Sequence, residues 1–330
     1  MDVRLARPTD APLVLSLALD TNAHAVKSYG WPATNHVART LMRATMPLAL
    51  RGRMWIARED DGVALLEAEP RQFVIGWDVM RLVARGRQVD PPIAAVLQAA
   101  ISHLHSRGVP RLFARCSEDD ACCHLRPLGF HGLAREYVLL GPEKDTARDV
   151  PPPLDSRYRM PQDDWPLHQL ESQVTPALVR QLEGLTSLDW SRPARRMSEI
   201  VVERDGKVVA WIGWGTHLGN EYRGIAALIH PDYMDLAPDL VAHAMTQVGD
   251  RCRLVARVRD YHVQTLRVFT DAGFTVVAEE LLLVKHGRVE LAPVQKARLA
   301  VHAVPSIQGF HVRLSPSPLP SFDPQKDAQT

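Results

Sequence analysis

Polar and apolar residues alternate over Asp2-Val3-Arg4-Leu5-Ala6-Arg7, the period of a half-buried strand. Pro8-Thr9-Asp10 breaks the alternation. Thr9 or Asp10 can cap a helix there, with Pro12 in its first turn and Leu13, Val14 and Leu17 opening its apolar face. A second helix is expected around His36–Thr45. Strands are expected at Met54–Arg58 and Val63–Glu67, joined by the hairpin signal Asp60-Asp61-Gly62, and a longer one at Phe73–Ala84. Ile93, Val96, Leu97, Ala100, Ile101 and Leu104 then recur at helical spacing as one full stripe, so a helix ends at Gly108. Arg111–Cys116 reads as a strand and Asp119–Arg126 as a short helix. Leu128-Gly129-Phe130 turns into a final strand pair ending near Leu140.

The pattern then repeats. Asp164-Trp165-Pro166-Leu167 restates Asp10-Ala11-Pro12-Leu13 as a helix start. Ile200–Glu203 and Val208–Gly215, joined by Arg204-Asp205-Gly206-Lys207, restate the hairpin. Gly224–His230 is the next strand, and a helix over Leu240–Val248 stops at Gly249. Arg253-Leu254-Val255-Ala256-Arg257 restates Arg111-Leu112-Phe113-Ala114-Arg115, and Ala272-Gly273-Phe274 restates Leu128-Gly129-Phe130. Five matches in one order imply two copies of one α/β unit, each a mixed sheet with helices. The expected division is a first domain at 1–140, a linker with three successive prolines at 141–156, a second domain at 157–285, and an arm and disordered tail at 286–330.

Composition adds exclusions. The 330 residues are 46% hydrophobic and 23% charged, ordinary for a globular chain. A net charge of +1 gives no electrostatic drive toward nucleic acid or a membrane surface, and no apolar run suits a membrane span. The N-terminus lacks a signal-peptide core, so a cytoplasmic protein is expected. The four cysteines (Cys116, Cys122, Cys123, Cys252) form no CxxC pair; reduced, mostly buried thiols are expected, and no metal site. No Gly-x-Ser-x-Gly, P-loop or dinucleotide fingerprint is present.

The element order of each copy resembles the GNAT superfamily of acyl-CoA-dependent N-acyltransferases. The local support is Ile229-His230-Pro231-Asp232-Tyr233 before a helix and Ala272-Gly273-Phe274 after the last one. The resemblance covers about 3–140 and 157–285 and implies a tandem GNAT protein with acetyl-CoA as cosubstrate. It also implies that the loop after each long strand cradles the CoA pyrophosphate on backbone amides, where glycine permits close approach. The second loop places Met234, Ala237 and Asp239 at the family's contact positions, with Pro238 lacking an N–H. In the first, Gln88 takes the Arg/Gln position, Pro91 and Ile93 stand where glycines belong, and Arg85, Gly86 and Arg87 supply charge and flexibility. Arg85, Gly86, Arg87 and Gln88 are therefore the candidate cofactor-binding residues, and the loops read as degenerate.

The family's proton-donating Tyr corresponds to Leu125 and Phe269, neither of which is an acid. Asp78, Glu67 and Glu69 are candidate general bases in the first half, with Asp78 foremost; Glu221 and Tyr222 are those of the second. His103 and His105 are expected to be exposed or favoured by the helix dipole. His262 is expected to begin the last helix, and Trp211 and Trp214 to face opposite sides of one strand. Two functions are compatible with these residues. One is an N-acetyltransferase acting on a small-molecule or peptide amine; the other is a tandem GNAT-fold binding or structural module that has lost CoA turnover.

Overall fold

The computed structural model describes residues 1–19, 24–26, 52–71, 76–117, 122–143, 155–191, 197–217, 222–248 and 252–287. The expected helix at 36–45, most of the 141–156 linker and the tail beyond Gly287 lie outside them. The first copy comprises β1 (Asp2–Leu5), α1 (Ala11–Leu19), β2 (His24–Val26), β3 (Arg53–Glu59), β4 (Gly62–Pro70), β5 (Trp77–Gly86), α2 (Asp90–Ser106), β6 (Arg111–Cys116), α3 (Cys122–Leu125) and β7 (His131–Leu140). The second comprises β8 (Ser156–Tyr158), α4 (Asp164–Val174), α5 (Ala177–Glu183), α6 (Ser187–Trp190), β9 (Ser198–Arg204), β10 (Lys207–His217), β11 (Tyr222–Ile229), α7 (Ala237–Thr246), β12 (Arg253–Arg259), α8 (Val263–Asp271) and β13 (Thr275–His286).

All the described strands join one mixed sheet in the order β1-β3-β4-β5-β6-β13-β7-β12-β11-β10-β9-β8, with β2 added on β5. The centre differs from the sequence expectation. The strand pair expected before Leu140 is a single strand, β7, and its partners come from the other copy. β13 lies between β6 and β7, and β7 lies between β13 and β12. Each copy contributes one long final strand, and the two are exchanged about a local pseudo-twofold. Strand alternation cannot announce this, because a buried central strand looks alike whichever copy supplies its neighbours.

The stripe on α2 buries Ile93, Val96, Leu97, Ala100, Ile101 and Leu104 against Trp55, Leu66, Leu82 and Leu112 of one sheet face. Each large side chain of that set contributes roughly 1.5–3 kcal/mol. In the second copy α7 and α8 do the same with Leu240, Val241 and Phe269 over Ile212, Trp214 and Ile229. The other face is covered by α1, through Val14 and Leu17, and by α4, through Leu167 and Leu170. Trp214 and Trp211 pack on these opposite faces, as their spacing requires.

A buried aspartate begins the first helical turn of each copy. Asp10 accepts from the Arg7 amide at 2.8 Å and from both Arg4 guanidinium nitrogens at 2.7 and 2.9 Å. Asp163 accepts from the Met160 amide at 2.7 Å and twice from Arg157 at 2.7 Å. The structural equivalent of Asp10 is therefore Asp163, one residue before the Asp164 matched to it by sequence. The charge-assisted pair six residues upstream sets the register, and α4 starts immediately afterwards.

Candidate functional site

Two places in the sheet have neighbouring parallel strands that diverge. β5 and β6 pair only from Trp77–Leu112 to Val79–Ala114, and β11 and β12 only from Tyr222–Arg253 to Ile225–Ala256. Beyond those pairs each long strand parts from its parallel neighbour and a cleft opens between them. A bulge lies beside each divergence. Met80 has no partner in the β4–β5 register, and Gly215, at φ +101°, has none in the β10–β11 register. An extra residue in one strand increases local twist, which separates the neighbours.

The two clefts differ in what lies along that edge. In the first, β2 pairs antiparallel with β5 at His24–Ala84, Ala25–Val83 and Val26–Leu82. In the second, Ala226–Ile229 pairs with β10 on one side and, among the described residues, with no strand on the other. Leu82 and Ala84 face the α2 core while Ala227 and Ile229 face the α7 core, so the two edge segments are equivalent once Met80 is taken as the extra residue.

At the helix N-termini beside the clefts several backbone positions offer no free amide. After β5, the Arg87 N–H donates to Asp61 O at 2.8 Å and the Ile93 N–H to Val89 O at 3.1 Å, while Pro91 and Pro92 have no N–H. After β11, the loop expected from sequence is wound into a 3-10 turn over Pro231–Leu236. Its start is closed by His230, whose Nδ1 accepts from the Asp232 amide at 3.3 Å and whose carbonyl accepts from Tyr233 at 2.9 Å. The Ala237 amide donates to Met234 O, Pro238 has none to give, and Asp232, Asp235 and Asp239 are exposed around this end.

Of the sequence candidates, Arg85, Gly86, Arg87 and Gln88 sit exposed at the end of β5. Arg85 reaches Ser16 Oγ at 3.5 Å. Gly86 has φ +143°, and a Cβ there would stand 2.1 Å from Asp61 O; this glycine lets β5 close against the Asp60–Gly62 turn. Glu67 is buried opposite Arg81, and Glu69 lies opposite Asp78. Tyr222 stands opposite Arg253 at the closed end of the second cleft, and Glu221 lies outside the described residues. Leu125 and Phe269 are each 1% exposed and fill apolar core.

Asp78 is held between Arg71 Nε at 3.5 Å and Arg115 Nη1 at 3.3 Å. These belong to an ionic network that sequence reasoning missed, on the sheet face opposite α2 and α7. Arg115 donates to Glu136 at 2.6 Å, Arg259 to Glu136 at 3.3 Å and to Glu183 at 2.8 and 2.5 Å, and Arg71 approaches Glu183 at 3.5 Å. Arg257 approaches Glu280 at 3.7 Å. Glu136 and Glu280 are direct partners across the exchanged strands β7 and β13, a like-charge pairing that would be unfavourable alone. Four arginines balance the four carboxylates. Burial pushes the Glu136 carboxyl up, but Arg115, Arg259 and Arg257 outweigh it and hold the group well below the usual carboxylate range. The matched Arg115 and Arg257 of the two sequence repeats were the available signal; their partners lie too far along the chain to be paired by eye.

His262 precedes α8 with its ring 4.5 Å from that of Tyr261. Burial, reinforced by Arg259, pushes its imidazole down to about 4. His103 and His105 are half-buried rather than exposed, and burial lowers both, against the direction of a helix dipole; contact with Trp55 at 5.7 Å accounts for the His103 placement. A cleft of about 570 Å³ lined by Gln98, Ser102, His105 and Lys285 lies along the C-terminal half of α2, at the end remote from the first diverging pair. Among the described residues there is no cluster of potential metal ligands and no helix long and apolar enough to cross a membrane. Cys116 is buried and Cys252 half-buried, both as free thiols; the side chains of Cys122 and Cys123 lie outside the described residues.

No family model matches the sequence, and no curated protein gives a significant match. Solved structures do. A GCN5-related N-acetyltransferase from Sphaerobacter thermophilus superposes with a TM-score of 0.54 at 14% identity, covering 86% of this chain and 95% of that one. A tandem GNAT protein from the clavulanic acid biosynthesis pathway gives 0.53 at 14% identity, over 86% and 98%. A Drosophila protein gives 0.54 at 11%, over 87% and 99%. With its duplicated order of elements and two diverging strand pairs, the chain has the tandem GNAT fold.

Proposed function

We propose that this protein is a GNAT-type N-acyltransferase that moves an acyl group, acetyl from acetyl-CoA in the simplest case, to a small-molecule or peptide amine, with the donor seated in the β11–β12 cleft. The observation that carries the reading is the edge Ala226–Ile229, which has no strand partner on its cleft side among the described residues, beside the divergence at Ile225–Ala256. An extended chain of amides can add to such an edge as a further strand would. Backbone N–H groups along the edge also suit the developing oxyanion of a thioester carbonyl. The amine attacks the carbonyl carbon directly, the C–S bond breaks, and water carries the proton from nitrogen to sulfur. Asp78, engaged by two guanidinium groups, orients Arg115 rather than serving as the base.

Calorimetric titration of acetyl-CoA into the purified protein tests this reading, alongside Ala226→Trp and the double change Arg85→Ala/Arg87→Ala. Ala226→Trp, which adds bulk where Ala226 packs against the Leu167, Leu170 and Trp211 cluster, should abolish binding while the chain still melts in one cooperative transition, and the double change should leave binding intact. The opposite pattern moves the donor to the β5 end and its Arg85–Gln88 segment. Absence of both heat and thermal shift at millimolar ligand removes the enzyme reading and leaves a tandem-fold binding module.

A further inference from the structure

We infer that the donor is recognised through its pantetheine arm alone, so that the protein takes pantetheine thioesters lacking the nucleotide at least as well as acyl-CoA. This rests on the acyltransfer reading and names the chemical class of its donor. An edge that accepts an extended backbone is already demonstrated within the chain. His24–Val26 lies antiparallel on Leu82–Ala84, the counterpart of Ala227–Ile229. Pantetheine carries two amides in an extended arm and is the smallest part of the donor that can make the same ladder.

The next part of an acyl-CoA, its diphosphate, would meet the start of α7. A diphosphate needs several converging N–H donors and positive potential there. At this helix start four backbone positions give a diphosphate no donor, and three exposed carboxylates set the potential negative. The Asp232, Tyr233 and Ala237 amides donate within the 3-10 turn, and Pro238 lacks an N–H. Asp232, Asp235 and Asp239 surround the end with exposed carboxylates. A nucleotide diphosphate is repelled by that rim, whereas the arm reaches the Ala226–Ile229 edge without crossing it. The transfer balances as before: the acyl carbon gains a bond to nitrogen, and pantetheine leaves as the thiol with the proton lost by the amine.

The arm could arrive as a small molecule or as the phosphopantetheine of a carrier protein. The test compares acetyl-pantetheine, acetyl-4′-phosphopantetheine and acetyl-CoA by calorimetry on the full chain, at low and high salt. Acetyl-pantetheine should bind within about threefold of acetyl-CoA or tighter, and only the two phosphate-bearing donors, acetyl-CoA most of all, should gain affinity as salt screens the rim. The triple change Asp232→Asn/Asp235→Asn/Asp239→Asn should raise acetyl-CoA affinity roughly threefold to tenfold and leave acetyl-pantetheine unchanged. Phosphopantetheine binding as well as pantetheine points to a carrier-borne source; weaker phosphopantetheine binding points to the free arm. Acetyl-CoA binding more than about threefold tighter than acetyl-pantetheine, or weakening with salt, overturns the inference alone. No binding of any thioester overturns it together with the acyltransfer reading.

Discussion

Replacing Glu183 by Gln removes one charge from the centre of the molecule while keeping its shape. The residue ends α5, is 1% exposed, and holds Arg259 through two bonds of 2.8 and 2.5 Å, with Arg71 at 3.5 Å. Arg71 follows β4 of the first copy and Arg259 ends β12 of the second, so one carboxylate ties both copies to the exchanged strands. At an effective dielectric of 20, the attraction across 2.8 Å is about 6 kcal/mol. Rehydration on unfolding offsets much of it, and breaking one partner of a buried pair costs about 3–5 kcal/mol net. For a chain of this size that corresponds to a melting temperature about 6–10 °C lower. Differential scanning calorimetry of Glu183→Gln measures it. The double change Glu183→Gln/Arg259→Gln closes a thermodynamic cycle and should recover at least about 2 kcal/mol through coupling. A single-variant shift below about 2 °C, or losses additive within about 0.5 kcal/mol, would refute the claim that this carboxylate carries the central network.

Three further outcomes are expected. Gly86→Ala should destabilise by about 1–3 kcal/mol, read by thermal melting, because its φ of +143° and the Asp61 carbonyl leave no room for a Cβ. Arg4 bonding, supported by the Arg7 amide and set against burial, holds the Asp10 carboxyl down to about 2, from 3.8 when unfolded. Its contribution of about 2 kcal/mol is therefore complete above pH 3.8 and lost as the pH falls through 2; Asp10→Asn should remove that part of the acid-unfolding curve. His262 is held neutral, at about 4 against 6.5, so the unfolded chain binds its proton first on acidification. Stability should fall between pH 6.5 and 4 by at most about 3 kcal/mol, and a His262→Gln variant with the same slope would contradict this.

Much of the architecture was legible in the order of residues. The period of Ile93–Leu104 defines α2 because a helix burying one face must repeat every 3.6 residues, and Arg111–Cys116 and the two hairpin turns are likewise local. The duplication was visible because each copy solves the same local problems with similar residues. The site was less so. Pro91, Pro92 and Pro238 lack amide hydrogens whatever the fold, so sequence alone shows that these positions cannot donate to a phosphate. It could not show that β2 lies along the first cleft edge while Ala226–Ile229 has no second strand partner among the described residues. Strand pairing depends on segments distant in the chain, and His24–Val26 has no local feature that names Leu82–Ala84 as its partner. The exchange of β7 and β13 has the same character, since either copy could satisfy a buried strand edge. Glu136 and Glu280 become neighbours only through that exchange, and only then do Arg115, Arg257 and Arg259 form one charge-balanced centre. Composition and periodicity determined the elements; long-range pairing, which no local residue preference encodes, decided which strands became neighbours.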